Sequence, residues 1–178
     1  MLTDDAPCPS NTARASGEGA RDGTASGSVL DLSNDYLNHY SEALMLIELA
    51  PMDEAVVEDL AAWAPLTYQA YFSASPLRRA KAALAAYEAL APEPRAVFEE
   101  LTWAMDTLVR FAILALRQPS EAESATVVAA ETGPALRRLI ERAAAFLNSG
   151  GTDLPRSGEV EAAQGAIDRL MGHAGVQA

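Results

Sequence analysis

Three residues near position 40 have the side chains and the spacing of a small reactive site. Asp35, His39 and Glu42 are four and three positions apart, and at about 100° per residue they share one face of a helix. A histidine beside two carboxylates suits two kinds of chemistry: the three side chains can bind a metal ion, or a carboxylate can orient the imidazole for acid–base catalysis. One hypothesis is therefore a helical-bundle protein with a metal-binding or acid–base site at Asp35, His39 and Glu42.

The rest of the chain offers little support for such a site. The only other histidine is His173, and a di-metal site in a bundle needs Glu-x-x-His from two helices, whereas the order here is His-x-x-Glu. We therefore favour a polar helix edge, and we expect no cofactor. Burial lowers the pKa of a histidine and nearby carboxylates raise it. We predict a raised pKa for His39, because we expect the charges to lie closer to the ring than the core does.

Common catalytic signatures are missing from the sequence. There is no glycine-rich phosphate loop before a helix and no Gly-x-Ser-x-Gly turn, and the single cysteine, Cys8, lies near the N-terminus. The sequence does not predict a hydrolase or a nucleotide-binding enzyme of the common types. It leaves open whether the protein is an enzyme, and a non-enzymatic protein is the favoured interpretation.

A second candidate site combines acidic and aromatic residues. Eight acidic residues lie from Asp31 to Asp59, and no lysine or arginine occurs between Arg21 and Arg78. Tyrosine and tryptophan beside charges are typical of binding hot spots, although large aromatic residues also commonly close the end of a bundle. Our main hypothesis is a small interaction or regulatory protein that binds a basic protein partner through this acidic, aromatic-rich edge. The predicted binding residues are Glu54, Glu58, Asp59, Trp63, Tyr68 and Tyr71.

Charge and composition restrict the partner and the compartment. A net charge of −12 disfavours nucleic acid, because binding to phosphates depends on lysine and arginine. The first residues carry aspartates where a secretory signal has basic residues, so we predict a cytoplasmic location, and the arginine and alanine bias suggests a bacterial protein. The hydrophobic run 96–116 contains four charged residues, which favours a buried helix over a membrane span. We expect no nucleic-acid or membrane partner, and either a monomer or a homodimer.

The elements that must position these residues are helices separated by prolines. Apolar residues recur at helical spacing and no segment alternates with period two. We predict an all-α fold, a compact bundle of five to seven helices with a central long helix. Residues 1–28 are expected to form a disordered tail, residues 29–149 the bundle, and residues 150–178 a linker and a weak C-terminal helix.

Proline, glycine and serine mark the expected ends of these helices. Ser75 and Pro76 resemble the cap and first residue of one helix, and Ser120 with Glu123 forms a capping box for another. Pro134 is expected to kink or restart that later helix. The predicted core residues are Leu44, Ile47, Leu60, Leu84, Phe98, Leu101, Met105, Leu108, Ala112, Leu139 and Phe146.

Overall fold

The computed structural model describes residues 30–76, 78–117 and 124–154, together with Gly165, Asp168 and Arg169. Every regular element in these ranges is a helix, which confirms the all-α prediction. The predicted tail and most of the weak C-terminal helix lie outside the described residues. A 3-10 helix, Asn34–Leu37, leads into α1 (Asn38–Leu49), and α2 (Val56–Ala61), α3 (Tyr68–Ala74), α4 (Ala80–Glu88), α5 (Pro92–Arg117) and α6 (Ala125–Asn148) follow.

The bundle is built around the two longest helices. α5 packs along α6, α1 lies against α6, α2 contacts both α1 and α5, and α3 pairs with α4. The predicted core residues are buried, except that Leu84 is half-buried. No helix within the described ranges is long and apolar enough to cross a bilayer.

The predicted cap at Ser75 is wrong. Ser75 follows the last residue of α3 with an extended backbone, at ψ 131°, and α4 begins five residues later at Ala80. The residue before a proline is driven out of the helical region by the proline ring. Pro76 therefore keeps Ser75 extended after α3, and a turn separates it from α4.

The start of α6 also differs from the sequence-based expectation. Its N-cap is Ser124, whose Oγ accepts a hydrogen bond from the amide of Val127 at 3.4 Å, while the Ser120–Glu123 capping box lies outside the described residues. Pro134 does not restart the helix, because α6 continues through it to Asn148. α6 ends at Asn148, and Gly150 and Gly151 follow it with a left-handed backbone, at φ of 64° and 84°.

Candidate functional site

His39 connects α1 to the segment between α2 and α3 through hydrogen bonds and a stacked ring contact. Its Nε2 donates to the carbonyl oxygen of Ala64 at 2.9 Å, and its ring stacks on Trp63 with centroids 4.7 Å apart and planes 18° from parallel. In return, the indole Nε1 of Trp63 donates to the carbonyl oxygen of His39 at 3.1 Å. The imidazole face and Nε2 are thus both engaged in holding two elements together.

The structure does not assemble a metal site at Asp35, His39 and Glu42. Within residues 30–76, 78–117 and 124–154, no group of three or more histidine, cysteine, aspartate or glutamate side chains is arranged to hold a metal ion. The expected raised pKa of His39 is wrong: burial lowers it, and the hydrogen bond to Ala64 and the charge of Glu42 oppose this only in part. Contact with Trp63 and the adjoining loop removes water from the ring, and this outweighs the carboxylates.

A buried hydrogen-bond chain links α1 to α5. The hydroxyl of Tyr40 donates to Asp106 Oδ1 at 2.7 Å, the hydroxyl of Tyr36 donates to the carbonyl oxygen of Leu66 at 2.7 Å, and the two hydroxyl oxygens are 3.0 Å apart. Burial raises the pKa of both phenols and of Asp106, although Tyr40 and Arg110 stabilise the Asp106 carboxylate.

Each of the two hydroxyls carries one proton. Because both hydroxyls donate outward, to Leu66 and to Asp106, no proton remains for the contact between Tyr36 and Tyr40, whose oxygens are 3.0 Å apart. Tyr40 and Asp106 are 66 positions apart in the chain, so no local pattern in the sequence indicates this contact.

The aromatic residues predicted to face a partner are largely inside the bundle. Tyr68 is only 2% exposed, stacks on Tyr87 with centroids 4.8 Å apart, and its hydroxyl accepts from the amide of Ser33 at 2.8 Å. Burial raises its pKa to about 12. Trp63 and Tyr71 are half-buried. Tyr68 therefore does not belong to a binding surface, because it fills the core between α3, α4 and α5.

The acidic residues of the predicted edge, by contrast, are at the surface. Glu54, Glu58 and Asp59 are all exposed. Of the eight acidic residues from Asp31 to Asp59, one forms an ion pair among the described residues, Glu48 with Arg137.

Apolar side chains that sequence analysis did not single out are exposed on α1 and just after it. Met45, Leu49 and Met52 are 51%, 36% and 77% exposed. Their spacing of four and three residues was visible in the sequence. Helical periodicity alone does not say which side of a helix meets the core, so this spacing did not distinguish an exposed strip from a buried face.

A second surface feature is a groove of about 1070 Å³ along α5, closed on the other side by residues 61–65. Trp103 and Leu114, which line it, are 60% and 56% exposed. The charged residues in its lining are Arg110 and Arg117.

The chain matches no protein-family model, no curated protein sequence and no solved structure.

Proposed function

We propose that the protein is a small cytoplasmic interaction protein that binds a basic amphipathic segment of a partner protein through the surface of α1 and α2. One observation carries the proposal: exposed carboxylates on these helices accompany an exposed apolar strip formed by Met45, Leu49 and Met52. We define the acidic edge as Glu42, Glu54, Glu58 and Asp59 together with this strip.

Charge supports a basic partner. The segment from Asp31 to Asp59 contributes eight carboxylates and no basic side chain, and within the described residues only Glu48 is neutralised by an ion pair. Clustered charge of one sign attracts a partner of the opposite sign and accelerates its association at low salt.

The apolar strip supports a helical partner rather than a merely charged one. α1 packs against α2, so Met45 and Leu49 on α1 and Glu58 and Asp59 on α2 belong to two helices in contact. Methionine side chains adapt to different apolar surfaces and are frequent where proteins bind amphipathic helices. A helix with basic residues on one face and leucine on the other can contact both the carboxylates and the apolar strip of the acidic edge.

Binding of a synthetic peptide tests the proposal directly. A dye-labelled amphipathic helix of lysine and leucine should bind the full chain, as measured by fluorescence anisotropy, whereas a scrambled peptide of the same composition should bind weakly. Affinity should fall as salt is raised, because screening weakens attraction between exposed charges. The combined change Glu54→Lys, Glu58→Lys and Asp59→Lys should abolish binding, and circular dichroism should show that it leaves the fold intact.

A matched variant separates a specific surface from general electrostatic attraction. Glu88, Glu93 and Glu141 are exposed on other helices, and changing all three to lysine alters the net charge by the same amount. This control should retain most of the affinity. Equal loss in both triple variants, or unchanged affinity when Glu54, Glu58 and Asp59 are changed to lysine, would show that the acidic edge is not the binding surface.

A further inference from the structure

The outward face of α5 carries large apolar side chains that the bundle leaves uncovered. Trp103 and Leu114 are more than half exposed, although every other phenylalanine, tyrosine and tryptophan in the described residues is buried or half-buried. Both side chains line the groove between α5 and residues 61–65. A rimmed apolar patch of this kind is typical of a protein interface.

Charged residues are placed along the same stripe with opposite signs at its two ends. At about 100° per residue, Glu99, Trp103, Arg110, Leu114 and Arg117 fall within a wedge of roughly 60° on α5. Glu99 is at the N-terminal end of the stripe and Arg117 is at its C-terminal end, whereas Arg110 lies two positions from the middle.

The order of these residues is self-complementary about the middle of the helix. Glu99 and Arg117 are each nine positions from Leu108, and Trp103 and Leu114 are five and six positions from it. When two copies of α5 lie antiparallel about a two-fold axis at the level of Leu108, each Glu99 meets the Arg117 of the other copy and each Trp103 meets a Leu114. Each Arg110 then lies level with Asp106 of the other copy. A parallel pair would place like charges opposite each other.

We propose that this stripe is a homodimer interface, in which α5 packs antiparallel against α5 of a second copy of the chain. A two-fold interface uses the same patch on both subunits, so that every favourable pair occurs twice. Two Glu99–Arg117 pairs at the ends and two Trp103–Leu114 contacts nearer the axis cover a stripe about 27 Å long, at about 1.5 Å of helix per residue.

The charged ends of the stripe are available for this pairing. Glu99 and Arg117 are exposed, and neither forms an ion pair with a residue in the described part of the chain. The hydroxyl of Tyr87 donates to Glu99 Oε1 at 2.9 Å, which holds the carboxylate in place while Oε2 remains available to an arginine. The interface uses no residue of the acidic edge, so it does not depend on the proposed function.

Charge exchange tests the pairing. Sedimentation velocity on the full chain should show a dimer in the micromolar range. Glu99→Arg or Arg117→Glu alone should weaken association at least tenfold, since each places like charges together twice, and the double variant should recover most of the wild-type affinity. Tryptophan emission in a Trp63→Phe background, where Trp103 alone reports, should shift to longer wavelength as the dimer is diluted.

Cross-linking tests the orientation. In a Cys8→Ser background, cysteine at Thr107 lies near the two-fold axis, with an axial offset of about 3 Å between copies. It should therefore form an intermolecular disulfide readily. Cysteine at Ala96, on the same stripe, should not, because antiparallel copies separate it by about 36 Å and a disulfide needs Cα atoms within about 7 Å.

Each contrary outcome overturns the proposal. A wild-type chain that stays monomeric through the micromolar range has no such interface. A dimer that is insensitive to both single charge reversals uses another face. Rapid cross-linking at Ala96 would show a parallel pair.

Discussion

At the residue scale, His39 illustrates how neighbours in space change the meaning of a histidine. Sequence spacing puts it beside Asp35 and Glu42, but its main partners are Trp63 and Ala64, more than twenty positions later. The ring serves as a stacked, hydrogen-bonded link between α1 and the loop after α2. Removal of water from the ring lowers the pKa of His39 more than the charge of Glu42 raises it.

We predict that His39 makes the protein less stable as the solution becomes mildly acidic. Its pKa in the folded state lies below the ordinary value of 6.5, so the unfolded chain binds a proton at higher pH than the folded chain. The free energy of unfolding should therefore fall as pH drops through about 6.5. Urea unfolding between about pH 8 and about pH 5, with an NMR titration of the His39 ring, measures both effects.

His39→Gln provides the matched variant, because glutamine can still donate to Ala64 but does not titrate. This variant should lose most of the dependence on pH near 6.5, whereas the same change at His173 serves as the control. A ring pKa above 6.5 would contradict the prediction.

We predict that Tyr40→Phe lowers the free energy of unfolding by about 1–3 kcal/mol. The change removes the only hydroxyl that reaches Asp106 Oδ1 in the described structure. A partly buried acceptor that has lost its donor destabilises the folded state, because its desolvation is no longer offset by a hydrogen bond. A double-mutant cycle with Asp106→Asn, followed by urea unfolding, measures the coupling between the two side chains. Additive losses would show that the Tyr40–Asp106 hydrogen bond contributes no stability.

At the element scale, backbone geometry decided where the helices begin and end. α6 runs through Pro134, and its end depends on two glycines with positive φ. Gly151 is the more demanding of the two, since a Cβ atom there would lie 2.5 Å from Cδ2 of Leu90. At Gly133, within the same helix, an added Cβ atom would lie 3.4 Å from the flexible end of the Glu48 side chain.

We predict opposite effects of alanine at these two glycines. Gly151→Ala should destabilise the protein by about 1–3 kcal/mol, because it combines a left-handed backbone with a clash against Leu90. Gly133→Ala should stabilise it by up to about 1 kcal/mol, because alanine is the better helix former and Glu48 can move aside. Thermal or urea unfolding of the two variants side by side measures the difference. A stable Gly151→Ala variant would show that the turn after α6 can rearrange.

At the scale of the whole molecule, charge is distributed unevenly. The chain carries a net charge of −12, and the segment from Asp31 to Asp59 contributes eight carboxylates, of which Glu48 is paired with Arg137. Like charges on neighbouring helices repel one another, and folding brings them closer than they are in the unfolded chain.

We predict that moderate salt stabilises the fold by screening this repulsion. Raising sodium chloride to about 0.15 M shortens the screening length to about 8 Å, and the melting temperature should rise. Glu54→Gln combined with Glu58→Gln should raise the melting temperature at low salt and reduce the response to salt. The matched pair Glu88→Gln and Glu141→Gln should change the melting temperature and its response to salt less. A melting temperature independent of salt in the wild-type chain would rule out significant repulsion.

The sequence by itself determined the fold class, most of the helices and nearly all of the core. These properties depend on local preferences, because apolar residues at helical spacing and prolines between them act within a few residues of their own position. The acidity of the first two helices was likewise readable without a structure, since no basic residue interrupts it.

Only the tertiary structure decided which of these residues are at the surface and which contact each other across the chain. Tyr68 became a core residue while Met45, Met52 and Trp103 became exposed, and His39 and Asp106 acquired neighbours from distant positions in the chain. Helical periodicity defines the faces of a helix, but the packing of the other helices determines which face is covered. Long-range contacts of this kind leave no local pattern in the sequence, and for that reason the exposed apolar residues of the candidate surfaces could be identified only in the folded bundle.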